Sequence, residues 1–167
     1  HVASQDVSTP YDEQFWQLLE TVYSEEPNLP FYIAQIGASR VEELDAWHDL
    51  RGRFSDHPKI RIGPLKLFKD GSLGARTALL SEPYADDPTT RGLRLISVED
   101  HTRWFLETEA RGIQVITHAI GDQAIIETCE AYAMAIQMMG SKGNKLRHAI
   151  VHAQITRPET ITAIKES

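Results

Sequence analysis

Short apolar runs alternate along the chain with stretches in which apolar residues recur every three or four positions. The apolar runs have the length of strands buried on both faces of a sheet, and the spaced stretches indicate helices with one buried side. Four strands are predicted, at residues 29–36, 60–68, 113–118 and 146–152. The order α-β-α-β-α-β-α-β-α is typical of right-handed βαβ units and a parallel sheet.

Capping signals and helix breakers predict where the helices begin and end. The five predicted helices begin at Thr9-Pro10, at Ser39, at Ser97, at Asp122 and at Thr156. Gly112 and Gly140 follow the third and fourth helices, as is common after a helix C-terminus. A long segment rich in turn residues, 70–96, separates the second strand from the third helix.

Two α/β architectures satisfy this order: a four-stranded doubly wound sheet and half of a (β/α)8 barrel. A doubly wound nucleotide-binding domain usually has a glycine-rich turn after its first strand. The segment IGASR at 36–40 contains a single glycine. The sequence therefore favours a partial TIM-like barrel, while periodicity alone leaves the flavodoxin-like sheet open.

Composition narrows the class of protein. The 167 residues are 41% hydrophobic and carry a formal charge of −7, which is ordinary for one globular domain and gives no basic surface for nucleic acid or anionic membranes. No apolar run approaches the ~20 residues of a membrane span, and the single Cys129 cannot form a disulfide framework. We expect a fragment of a longer protein, one domain over 1–167, because the chain begins at His1 and ends inside a predicted helix. With no signal peptide visible, a cytoplasmic location is expected.

Three predicted strands end in side chains suited to metal binding: Lys66, His118 and His152. Active sites of barrels form at the strand C-termini, so these side chains would converge at one rim if their faces point inward. Imidazole is the commonest protein ligand for zinc-like ions, and a lysine is rarely buried unless it is paired or functional. The ordinary alternatives are hydrogen-bonded histidines and a lysine that reaches solvent from an edge strand.

The local sequences around these residues are more specific than their spacing. The chain contains KLFKDGSLGARTALL at 66–80, HAIGDQA at 118–124 and RHAIVHAQ at 147–154. These three motifs, in this order, resemble signatures of the amidohydrolase superfamily, in the branch called amidohydrolase family 3 with its N-substituted formamide deformylase-like proteins. The resemblance covers about residues 60–160.

The resemblance implies a distorted (β/α)8 barrel in which the predicted strands are about numbers three to six. By motif, Lys66 takes the strand-4 place of a carboxylated lysine, and His118 and His152 take the histidine places of strands 5 and 6. The family's strand-1 HxH pair and strand-8 Asp have no counterpart in this sequence. No catalytic residue is therefore assigned, and the chain alone is expected to be inactive.

The resemblance also implies a reaction and a cofactor. The intact enzyme would hydrolyse the C–N bond of an amide-type, non-peptide small molecule with water activated by one or two divalent ions, with zinc the expected metal. A homodimer could cover open sheet edges, and no nucleic acid or membrane partner is expected. The alternatives are a non-catalytic α/β half-barrel and a flavodoxin-like binding module.

Two polar residues after the second strand could line a substrate pocket or support a loop. Asp70 and Arg76 stand at the start of the 70–96 segment, and we expect them to hold that segment in place. Lys69 would compete with Lys66 for the carboxylated role only if the strand register slipped by one.

Two more candidates for pocket or loop support lie in the last two motifs. Asp122 stands at a helix start, where a cap is the simple explanation. His148 lies one pleat before His152, roughly 6.5–7 Å along the strand, and is expected to support the barrel interior. The remaining histidines are predicted to be surface or helix residues: His1, His48, His57 and His101.

Overall fold

The computed structural model of the chain describes residues 3–140 and 145–166. Strands and helices alternate throughout these ranges, which confirms the predicted α/β class. The strands are β1 (Ala3–Pro10), β2 (Phe31–Gly37), β3 (Ile60–Phe68), β4 (Val115–Ala119) and β5 (Ala149–His152). The helices are α1 (Glu13–Glu25), α2 (Glu43–Arg53), α3 (Val98–Ala110), α4 (Asp122–Met138) and α5 (Pro158–Glu166).

Contacts within the chain group into two compact units, His1–Lys66 and Leu67–Ser167. The first unit contains β1, β2 and most of β3, and the second contains β4, β5 and the long segment before α3. One domain over residues 1–167 stays a prediction.

The first unit is a parallel sheet covered by aromatic side chains. β1 pairs with β2 and β2 pairs with β3, both in parallel. Trp16, Trp47 and Phe54 are fully or almost fully buried, and the Trp16 ring lies 5.7 Å from the ring centroids of both Trp47 and Phe54. Edge-to-face and tilted aromatic contacts of this kind add to the hydrophobic gain from burial.

The start of the chain differs from the prediction. Thr9 and Pro10 end strand β1, and the first helix begins at Glu13 with Asp12 as its cap, whose carboxylate accepts from the backbone of the first turn. β1 was missed because its residues are polar and mostly exposed, so no apolar run marks it. A proline is tolerated there because it stands at the end of a strand that pairs on one side only in this unit. β1 adds one strand before the four predicted ones.

The second unit places helices against one face of a parallel strand pair. β4 and β5 run parallel from Ile116–Ala149 to Ala119–His152. In β4, Val115, Thr117 and Ala119 are buried, whereas Ile116 and His118 are half-buried on the other face. The apolar core joins one residue of the long segment to β4 and α4, and its buried members are Leu79, Ala119, Ala124, Ile125 and Cys129.

Local signals located β3 and the start of α3 well, whereas α2 begins at Glu43 rather than at Ser39 and β5 begins at Ala149 rather than at residue 146. Ser97 caps α3 by accepting from the Asp100 backbone N–H, and Gly112 follows the helix with a φ of +63°. β3 spans the predicted residues 60–68, and α4 ends at Met138, two residues before the predicted breaker Gly140. None of the helices in the described ranges is long and apolar enough to cross a membrane.

The segment from 70 to 96 has little regular structure but is tied down by backbone hydrogen bonds. Gly71 and Leu93 both donate to the Thr77 carbonyl, at 3.0 and 3.1 Å, and Leu95 donates to the Lys69 carbonyl at 3.0 Å. These bonds satisfy polar backbone groups that would otherwise be costly to bury. The segment is thus an ordered part of the second unit.

Candidate metal site

His118 stands near the end of β4 with its ring orientation fixed by the chain. Its Nε2 lies 2.8 Å from the Gly71 carbonyl oxygen. A carbonyl only accepts, so Nε2 carries the hydrogen and the lone pair of the neutral ring is on Nδ1. The side chain is 14% exposed, and the Phe68 ring lies 5.4 Å away. His118 therefore presents one nitrogen suited to a metal and uses the other as a donor.

His152, the last residue of β5, lies beside His118. The two ring centroids are 4.6 Å apart with planes at 73°. His118 is paired in register with Val151 rather than with His152, so a regular strand would direct the two histidines to opposite faces. His152 instead has a φ of +81° and Ala153 a φ of +45°. This left-handed backbone, unfavourable for residues other than glycine, brings the rings together.

Asp70 is a buried carboxylate with several backbone donors. It accepts from the N–H groups of Leu79 at 2.9 Å, Ile120 at 3.0 Å and Gly121 at 2.8 Å. Its Oδ1 also lies 3.5 Å from Nε2 of His118. The donors belong to the 70–96 segment and to the turn between β4 and α4, so Asp70 joins these two parts of the second unit.

Two glycines permit the close approach of these backbones. A Cβ on Gly71 would lie 2.1 Å from Thr77 Oγ1, and one on Gly121 would lie 1.9 Å from the Leu79 carbonyl oxygen. Such distances are well inside van der Waals contact, so a larger residue would push the segments apart. Gly71 and Gly121 thus serve the packing of the segment around His118.

Lys66, the last residue of the first unit, is 6% exposed. Burial lowers the pKa of its amine, because a charged ammonium is poorly solvated inside a protein. The predicted edge-strand alternative, with the ammonium in solvent, does not fit this burial.

Lys69 forms a buried ion pair, instead of the carboxylated group considered for it in the sequence. Its fully buried Nζ lies 2.7 Å from Glu127 Oε2 and donates to the Ile96 carbonyl at 2.7 Å. Burial raises the pKa of Glu127, but hydrogen bonds from Arg94 and Lys69 outweigh it and bring the pKa to about 2. Lys69 is therefore held as a charged partner of Glu127, which argues against a carboxylated Lys69.

Asp122 and Arg76 both contact the long segment. Asp122 accepts from the Ser81 N–H at 3.0 Å and lies 3.0 Å from Arg157 Nε. Burial raises the pKa of Asp122, but the Ser81 hydrogen bonds and the Arg157 charge leave it below its usual value. The N-cap of α4 is Gly121 rather than Asp122, so the simple cap explanation is wrong.

Arg76 acts within the segment itself. Its guanidinium lies 2.7 Å from Asp86 Oδ2 and is 44% exposed, and the residue has a φ of +54°. An ion pair this exposed adds little stability.

The prediction that His148 supports the barrel interior is wrong. Its Nδ1 accepts from the Val115 N–H at 2.9 Å, and its Nε2 lies 3.1 Å from Glu109 Oε1. Its ring also packs against Phe105, 5.1 Å between centroids. Glu109 and Phe105 belong to α3, so His148 faces the helices. The strand begins only at Ala149, so strand parity does not extend back to this residue.

His101 is the polar residue that the sequence reasoning underrated. It lies in α3 but is fully buried, stacked on Phe105 at 4.8 Å, with Nε2 at 3.0 Å from Thr117 Oγ1. Burial and then the Lys69 charge lower the pKa of His101 to about 3. The sequence feature that could have indicated its burial is its position four residues before Phe105, on the apolar side of the helix.

Within residues 3–140 and 145–166, no three His, Cys, Asp or Glu side chains form a group that could hold a metal ion. His118 and His152 are a pair with the right chemistry, since imidazole nitrogens suit zinc-like ions. Asp70 lies near them, but its oxygens are occupied by backbone donors.

Parallel strands alternate with helices in this chain, two histidines lie at adjacent strand ends, and the chain is similar to solved structures of metal-dependent hydrolases. An uncharacterized metal-dependent hydrolase from Pyrococcus furiosus matches 97% of this chain with a TM-score of 0.71 and 32% identity. A second, from Pyrococcus horikoshii OT3, matches 97% with a TM-score of 0.74 and 29% identity. The predicted partial TIM-like barrel is confirmed.

The family follows from the sequence comparison. The Amidohydrolase family model matches residues 15–167, and the chain belongs to this family. It is 38% identical over 120 residues to the protein named "Putative amidohydrolase YtcJ" of Bacillus subtilis (strain 168), covering 72% of this chain. It is 35% identical over 97 residues, or 58% of the chain, to Protein LONG AFTER FAR-RED 3 of Arabidopsis thaliana.

The matched regions are a minor part of these relatives. They span 21% of the Bacillus protein, 16% of the Arabidopsis protein, and 32% and 31% of the two Pyrococcus chains.

Proposed function

We propose that this chain supplies part of the metal site of an enzyme that hydrolyses the C–N bond of amide-type, non-peptide small molecules. The observation that carries the proposal is the histidine pair at adjacent strand ends, with ring centroids 4.6 Å apart. Membership of the Amidohydrolase family and similarity to metal-dependent hydrolases support the reaction class.

The donor chemistry of the pair fits a zinc-like ion. Zinc binds imidazole nitrogen at about 2.0–2.1 Å, and rings at this separation are close enough for both to bind one ion. His118 would bind through Nδ1, because Nε2 donates to Gly71. When bound, a divalent ion would polarise the substrate carbonyl and acidify a water molecule. His118 and His152 would hold that ion at the strand ends, and Gly71 would keep the first ring oriented.

By its family motif, Lys66 is proposed to be carboxylated in the intact enzyme. The neutral amine adds to the carbon of CO2, loses a proton and gives a carbamate with two carboxylate-like oxygens. Burial lowers the pKa of Lys66, so a larger fraction of the amine is neutral near pH 7 than for an exposed lysine. This burial and the family motif support the assignment.

The chain by itself is proposed to be inactive. Its sequence contains no HxH pair, and the family's strand-8 Asp, which passes a proton to the leaving nitrogen, has no matched position. These ligands would come from other parts of a complete barrel. A small-molecule substrate without nucleic acid or membrane partners is part of the proposal, and a homodimer and a cytoplasmic location stay predictions.

The test compares histidine variants of the natural full-length protein. His118→Ala and His152→Ala should each lower the zinc content per chain, measured by elemental analysis, and abolish hydrolysis of a panel of N-acyl amines. His48→Ala is the matched control, because His48 is 57% exposed and pairs with its neighbour Asp49. Circular dichroism would show that the variants fold. Unchanged zinc content in the His118→Ala/His152→Ala double variant would refute the site.

A further inference from the structure

Residues 69–71 contact both the backbone and the side chain of His118. The Lys69 N–H donates to the His118 carbonyl at 2.9 Å, and the Gly71 carbonyl accepts from Nε2 of the ring at 2.8 Å. Asp70 lies between these two contacts, with Oδ1 3.5 Å from the same Nε2. One short stretch therefore controls where His118 sits and how its ring is turned.

The Asp70 carboxylate is held by backbone N–H groups from two segments of the second unit. Leu79 donates to it from the long segment, and Ile120 and Gly121 donate from the turn that begins two residues after His118. The Asp70 side chain is 0% exposed. Charge-assisted bonds from backbone N–H groups to a carboxylate are among the stronger hydrogen bonds in proteins, so the negative charge stays fixed near the Nε2 edge.

A fixed negative charge at this edge selects one tautomer of the neutral imidazole. With the hydrogen on Nε2, the N–H dipole points at the Gly71 oxygen and towards the carboxylate. With the hydrogen on Nδ1, the lone pair of Nε2 would face an acceptor oxygen 2.8 Å away and a carboxylate oxygen beyond it, and both contacts would be repulsive. The hydrogen bond of one ring nitrogen thus decides which nitrogen is free for a metal.

We propose that Asp70 is the positioning residue of His118, and that it keeps the imidazole hydrogen on Nε2 so that Nδ1 is the metal-binding nitrogen. Asp70 is not a metal ligand in this assignment, because its oxygens accept from three backbone donors. The inference rests on the proposed function, since it gives His118 the role of ligand. Partners of this kind typically change metal affinity 10- to 100-fold.

The first experiment compares two buried aspartates in the natural full-length protein. Asp70→Asn should weaken zinc binding about 10- to 100-fold in a chelator competition assay. Asp122→Asn is the matched control: its carboxylate is equally buried and joins the same segment to α4, but it contacts Ser81 and Arg157 instead of His118. The control should change zinc affinity less than about twofold. Equal losses of affinity in the two variants would reduce Asp70 to a structural role and overturn the proposal.

The second experiment needs no folded variant at Asp70. In metal-free protein labelled with 15N-histidine, the shifts of the two ring nitrogens identify the tautomer, and the His118 signals are assigned by their loss in His118→Gln. Wild-type His118 should carry its hydrogen on Nε2, and Asp70→Asn should show a mixture of tautomers if it folds. A wild-type hydrogen on Nδ1 would overturn the proposal.

Failure of the metal site itself would look different. If His118→Ala retained wild-type zinc affinity, the proposed function would fail, whatever the tautomer of His118.

Discussion

The amine of Lys66 is buried, and we propose that it is carboxylated in the intact enzyme. Because burial lowers its pKa, we expect CO2 to add to it in the metal-loaded protein. Protein prepared in 13C-bicarbonate should show a carbamate carbon signal by NMR. The signal should be missing in Lys66→Arg, whose guanidinium stays protonated.

Lys165→Arg is the control for that measurement, since Lys165 is exposed on α5. A carbamate signal of wild-type size in Lys66→Arg would show that another amine carries the group.

His101 should make the chain less stable in mild acid. Its pKa is lowered to about 3 in the folded state, whereas an unfolded histidine titrates near 6.5. Below about pH 6.5 the unfolded chain therefore binds a proton that the folded chain does not. As the pH is lowered, the free energy of unfolding decreases by up to about 1.4 kcal/mol per pH unit. Urea unfolding at pH 7, 6 and 5 would measure this slope, which His101→Gln should reduce.

The exposed His48 provides the comparison for that slope. His48→Gln should leave the pH dependence of unfolding unchanged, because its side chain is 57% exposed. Equal slopes in wild type and His101→Gln would mean that the buried ring does not control stability in this range.

At the scale of elements, the Lys69–Glu127 pair joins the end of β3 to α4. Both side chains are at most 5% exposed. A buried charge left without a partner typically costs about 3–5 kcal/mol, but Glu127 keeps its ion pair with Arg94 when Lys69 is removed. Lys69→Met should therefore lower the free energy of unfolding by less than about 3 kcal/mol in urea titrations. The double variant Lys69→Met/Glu127→Leu should recover part of the loss, and a double variant as unstable as the sum of the single changes would show no coupling.

The turn between β4 and α4 should tolerate no side chain at Gly121. A Cβ there would lie 1.9 Å from the Leu79 carbonyl, whereas one on Gly74 would meet nothing within 4 Å. Gly121→Ala should destabilise the chain by about 1–3 kcal/mol, the usual cost of forced backbone shifts, and Gly74→Ala should stay within about 0.5 kcal/mol of wild type. Thermal unfolding of both variants checks this, and equal melting temperatures would contradict the close packing.

Local patterns predicted the elements that have strong local signals. The apolar run of β3 and the Ser97 cap of α3 are examples. Polar β1 was missed because its place is set by pairing with β2 rather than by its own residues. The Lys69–Glu127 pair could not be predicted, because it joins residues 58 positions apart whose contact depends on the packed fold.

At the scale of the whole molecule, the motifs were more informative than composition or periodicity. They indicated the Amidohydrolase family, which the match over residues 15–167 confirms. They could not show how the two histidines come together, since this depends on the backbone at the end of β5. Strand alternation placed His148 on the wrong side, because it says nothing about residues just outside the strand.

At His152 the backbone conformation lowers the stability of the fold, whereas the side chain is needed for the proposed metal site. Glycine adopts a φ of +81° without steric cost, so a search for stabilising substitutions would select His152→Gly. The same change would remove one of the two imidazoles on which the proposed metal site depends. A thermostable variant obtained in this way should fold better than the natural chain and bind zinc worse, so engineering of this protein should leave that strained residue unchanged.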